Sequence, residues 1–84
     1  MSAASAETMS AEDRFASDYA TAFEDFMRSF RRQGVLTSER LLEGAHEKAT
    51  QRASDLARSR GNRSMNFAAL AKAGLAQARS RYGY

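Results

Sequence analysis

Between residues 15 and 30 the large apolar side chains recur at steps of three and four: Phe15, Tyr19, Phe23, Phe26, Met27 and Phe30. That spacing puts all six on one stripe of an α-helix, while Asp18, Glu24, Asp25 and Arg28 fall on other faces. A stripe this bulky has to be covered by something. The next segment supplies a complement in Ala45, Ala49, Ala53 and Ala57, repeated every four residues with Leu41, Leu42 and Leu56 at the ends. An alanine stripe buries little by itself, but it lets a neighbouring helix approach closely.

Punctuation around these stripes sets the helices. Ser10 stands before Ala11-Glu12-Asp13 as a variant capping box, and Gly34 follows Arg31-Arg32-Gln33 as a stop. Thr37-Ser38 offers a second N-cap, and Gly61 closes the segment that it opens. Gly44 lies inside that second helix and weakens it by up to about 1 kcal/mol. After the polar joint Asn62-Arg63-Ser64, a third amphipathic segment carries Phe67, Leu70, Ala71, Gly74, Leu75, Ala78 and Tyr82 on one face. Helices over about 11–33, 38–60 and 65–82 are predicted, with no strand. Short joints favour antiparallel neighbours, so the expected fold is all-α, a small three-helix bundle. A helical hairpin that dimerises is the alternative. Residues 1–9 are small and polar and are expected to be disordered, leaving 10–84 as one helical domain.

Eighty-four residues is close to the size at which one core only just outweighs chain entropy. Val35, Leu36 and Met65 join the stripe residues as material for burial, yet the total remains small. Help from a second subunit or a partner is therefore expected. The absence of cysteine excludes a disulfide framework and a thiolate metal site. No apolar run approaches bilayer length, and the first residues lack an export signal, so a cytoplasmic location is expected by default. Eleven Arg against two Lys, with abundant Ala, suggest a bacterial or phage origin.

Nothing in the pattern points to catalysis. His46, the only histidine, is flanked by Glu43 and Glu47 with no recognisable nucleophile or orienting partner, and it reads as an exposed helix residue. No metal-ligand spacing and no phosphate-binding glycine loop occurs, so no cofactor and no enzyme activity are expected.

The charges are more informative. Residues 1–27 carry six acids and one base, while residues 28–84 carry twelve bases and four acids. Arginines close each predicted helix and acids open the first two, which complements the partial charges of helix ends. Folded up-down-up, the ends of the first and third helices share a pole with the start of the second. That pole gathers Arg28, Arg31, Arg32, Arg40, Arg79 and Arg81, with Tyr82 and Tyr84, against Glu39 and Glu43. Arginine forks bind carboxylates or phosphates, and tyrosine adds flat contact area.

The function expected from this pole is that of a non-enzymatic interaction protein, a regulator, inhibitor or adaptor that docks on a larger protein. Nucleic-acid binding is the alternative. Leu56-Ala57, Gly61, Phe67 and Leu70 resemble the spacing of a DNA-binding helix-turn-helix, though Arg60 and Asn62 stand where that motif has apolar locking residues. A self-assembling subunit joined through the alanine stripe is a third reading. Membrane attachment is disfavoured, because the most amphipathic helix has an acidic polar face.

Overall fold

Each helix begins and ends on a local hydrogen-bond device. In a computed structural model describing residues 9–84, α1 spans Ala11–Arg32, α2 spans Glu39–Ser59 and α3 spans Phe67–Arg81. The Ser10, Ser38 and Asn66 side chains accept from the backbone N–H three residues on, at 3.0, 3.1 and 3.1 Å. At the other end of α1, Gly34 adopts φ +79°, where its N–H donates to the Arg31 carbonyl and Val35 N–H donates to that of Phe30, both at 3.0 Å. This is a Schellman closure, and Gly61 and Gly83 repeat it. Predicted boundaries agree with the observed ones to within two residues. The largest difference is at α3, where Asn66 caps the helix and the joint runs from Arg60 to Asn66. The expectation for the N-terminal segment lies outside the described residues, Met9 excepted.

The three helices form an up-down-up bundle, with α1 and α2 sharing the most extensive contact. Phe15, Tyr19, Phe23 and Met27 of α1 are buried against Leu42, Ala45, Ala49, Ala53 and Ala57 of α2. Large side chains on one helix thus fill the shallow face of the other. Because the alanine stripe is sealed within the chain, it offers no face to a second copy, contrary to the homotypic contact anticipated for it. Phe26 and Phe30 drift off the buried stripe and stand half-exposed, their ring centroids 4.9 Å apart.

α3 runs parallel to α1 and rests on its aromatic rings. Phe67 stacks on Phe15 at 5.6 Å, Tyr82 leans on Phe23 at 6.2 Å, and between them Gly74 lies on the Tyr19 ring. Only Ala71 and Ala78 of α3 are buried, so the third helix is the most lightly packed. It still covers the bundle, and the simple hairpin is thereby excluded.

Two other predicted placements differ in the structure. His46 is half-buried, its Nδ1 2.8 Å from the Tyr19 hydroxyl and 3.5 Å from Thr50 Oγ1. Burial pushes the Tyr19 phenol up to about 12, so it keeps its proton at neutral pH. The second difference concerns Val35 and Leu36, which are not core residues. Leu36 is 84% exposed and Val35 40%.

Three substitutions test this packing by thermal and chemical denaturation. Ala49→Glu puts a carboxylate into the closed α1–α2 contact and is expected to abolish cooperative folding. Gly74→Ala sets a Cβ 2.6 Å from the buried Tyr19 ring and should lower stability by about 1–3 kcal/mol despite its better helix propensity. Gly44→Ala meets only the outer edge of the Phe26 ring, at 3.1 Å, so the propensity gain of up to about 1 kcal/mol should show. Equal effects at the two glycines would contradict the packing described.

Candidate functional site

The pole that closes α1 and α3 and opens α2 is built by cross-links between all three helices. Arg31 Nη1 donates to the Tyr82 hydroxyl at 3.1 Å, and that hydroxyl donates in turn to Glu24. Burial, then the Glu24 carboxylate, raise the Tyr82 phenol pKa while Arg31 opposes them, so the hydroxyl stays protonated as this relay requires. Arg79 grips Glu39 with both arms of its guanidinium, one contact being Nη2 to Oε2 at 3.1 Å. Its Nη2 also donates to the Tyr84 carbonyl at 3.4 Å.

The closure at Gly83 turns the chain so that the Tyr84 hydroxyl donates to the Thr37 carbonyl at 3.0 Å. The C-terminal residues are thereby stitched across the α1–α2 joint.

The eight residues singled out from the sequence therefore separate by role. Tyr82 and Arg79 are clasps: the first is half-buried against Phe23, and the second is committed to Glu39. Arg28 makes a loose ion pair with Asp25 at 3.4 Å on the flank of α1. Arg81 borders the α1–α3 groove near Glu24, Asp25 and Arg28. Arg31 reaches Tyr82 and keeps most of its N–H donors free. Arg32 and Arg40, on either side of the α1–α2 joint, are exposed and make no side-chain hydrogen bond or ion pair with any described residue. Tyr84 is tethered by its hydroxyl, yet it leaves 48% of its surface exposed. The opposite pole is more closely neutralised, with Arg60 paired to Asp18, Arg58 paired to Asp55 at 3.0 Å, and the Arg58 guanidinium 5.2 Å from the Phe67 ring centre.

Sequence reasoning missed the apolar members of this tip. Val35 and Leu36 sit between the stop at Gly34 and the cap at Ser38, flanked by Arg32 and Arg40. The signal was in the spacing. A connection this short crosses the end of the bundle, where no facing helix covers its side chains. The tip accordingly presents a nearly bare leucine beside a valine and a tyrosine, ringed by arginines.

Among the described residues no group of His, Cys, Asp and Glu is placed to hold a metal, and no helix is long and apolar enough to cross a membrane. The α2–α3 joint of seven residues, 60–66, is longer than the three- to four-residue turn of a helix-turn-helix. No protein-family model matches the chain, and comparison with curated proteins and with solved structures finds no match.

The Arg79 contact holds the Glu39 carboxyl below the ordinary glutamate range, chiefly through its hydrogen bond. A folded-state value below the unfolded one means that the tie contributes above the ordinary range and is lost as pH falls through the lowered value. NMR titration should show Glu39 protonating at lower pH than an unfolded-peptide glutamate, and Arg79→Gln should bring it back up. An unchanged Glu39 titration in that variant would contradict the clasp.

Proposed function

We propose that this protein is a small helical interaction module, a regulator, inhibitor or adaptor, that docks on a larger protein through the α1–α2 tip. The observation that carries this reading is Leu36, a large apolar side chain left 84% exposed on a short joint between two capped helices. Full burial of such a side chain is worth about 2 kcal/mol, which the folded monomer forgoes. Arg32 and Arg40 flank it without carboxylate partners among the described residues, and Arg31 adds further N–H donors. An apolar anchor ringed by arginines fits a partner with an apolar pocket bordered by acidic side chains. The ties made by Arg79, Tyr82 and Tyr84 keep the joint in place before binding, which lowers the ordering cost of association.

The same arginines would also attract phosphates, and nucleic-acid binding is the competing reading. The protein reading is favoured because the Tyr82 ring lies against Phe23 and Tyr84 is tied through its hydroxyl to Thr37, so neither ring is free to turn onto a base. The most exposed large apolar side chain of the tip, Leu36, is aliphatic, which suits a pocket better than a base.

Capture of partners from a lysate by the immobilised chain, with and without nuclease, tests the proposal. A nuclease-resistant protein partner is expected, and Leu36→Asp should weaken its binding by about 30-fold or more, corresponding to about 2 kcal/mol. Arg32→Glu with Arg40→Glu should slow association and reduce its salt dependence. All three side chains are exposed, so the variants should melt like the parent. Undiminished capture by Leu36→Asp, or capture lost on nuclease treatment with steep salt-dependent binding to DNA or RNA, would contradict the reading.

A further inference from the structure

α3 packs against α1 and α2 on one side only, and on another side the two helices leave a groove of about 440 Å³ to which α3 contributes no residue. Its floor is apolar, made by Ala22, Phe26 and Leu56, each of them half-buried. Its two walls carry opposite charge. The α1 wall presents Asp18 and Asp25, and the α2 wall presents Lys48 and Arg52.

Lys48 and Arg52 are exposed and form no ion pair with any described residue. Among the described residues Asp25 is held only by the 3.4 Å contact with Arg28, in which both side chains are more than half exposed. Asp18 is already matched by Arg60 and is less available. The helices run antiparallel, and Phe26 lies over Gly44, so Asp25 stands near the level of Lys48.

We propose that this groove is covered by a second copy of the chain, laid face to face on it about a twofold axis parallel to the helices. The charge pattern selects both the occupant and the axis. A twofold parallel to the helices sets α1 of each copy on α2 of the other at equal height, so that Asp25 of each copy meets Lys48 of the other twice over. A twofold across the helices stacks α1 on α1 instead and brings acid walls together, which like-charge repulsion opposes. Phe26 and Leu56 of the two copies then close the apolar floor between four helices, as in a bundle.

This arrangement also fixes where the two tips lie. A parallel axis leaves both arginine-and-leucine tips at the same end, so the dimer offers two docking surfaces side by side. Mutual repulsion of the tips opposes this arrangement, but they are exposed and screened by salt beyond about 8–10 Å, whereas the wall charges are in contact. The dimer does not depend on the docking role proposed above, because its residues lie apart from Leu36, Arg32 and Arg40.

Sedimentation equilibrium of the full chain over a wide concentration range tests the inference, with circular dichroism to confirm folding. A reversible monomer–dimer equilibrium is expected. Asp25→Lys and Lys48→Asp should each weaken the dimer by about 10-fold or more, since each change acts at two symmetric contacts, and the combined exchange should restore it to within about 3-fold of the parent. Both residues are exposed, so each variant should fold. A chain that stays monomeric at millimolar concentration, a dimer indifferent to both single reversals, or a failure of the double exchange to restore association would each overturn the proposal.

Discussion

The bundle is held by a large-to-small fit between two helices. Phe15, Tyr19, Phe23 and Met27 lie on a face of α2 whose side chains are mostly methyl groups, and all of these residues are sealed from solvent. Neither face could form a core alone. Aromatic rings without a close neighbour would stay wet, and alanines without rings would have almost nothing to bury. The fit also explains how so short a chain folds with few large side chains, because small residues on one helix let the rings of the other be fully buried.

The third helix depends on that arrangement. Its points of attachment, Phe67 on Phe15, Gly74 on Tyr19 and Tyr82 on Phe23, all use rings that α1 has already fixed against α2. Gly74 is needed where α3 comes closest, because any Cβ there would enter the Tyr19 ring. Once α3 is seated, Tyr82 meets Arg31 and Arg79 meets Glu39, and the arginine-rich tip acquires its shape. The functional surface is therefore a product of core packing at one remove. A change deep in the α1–α3 contact would loosen a tip that it never touches.

Most of the fold was legible in the primary structure, because the signals there are local and strong. Ser10, Ser38, Gly34 and Gly61 mark helix ends, and the two stripes have unambiguous periods. The gathering of Arg31 and Tyr82 at one pole followed from topology, and the hydrogen bond between them places them there. What could not be read was the state of individual side chains at that pole. Arg79 and Arg40 look alike in a list of bases, but one is gripped by Glu39 and the other pairs with no described residue, a difference set by which helix faces meet. The half-burial of His46 is illegible for a similar reason, since its partner Tyr19 is distant in sequence and no local pattern links them. Hydrophobicity alone counts Leu36 as material for burial, whereas its position in a short joint decides its exposure.

If the ring-on-alanine contact is the foundation, α1 and α2 must open together and α3 must open more easily. Native-state hydrogen exchange measures this residue by residue. The amides of residues 19–27 and 45–57 should exchange only through global unfolding, with one shared free energy, while those of 70–80 exchange at a lower one. Protection greatest in α3, or separate opening of α1 and α2, would contradict the account.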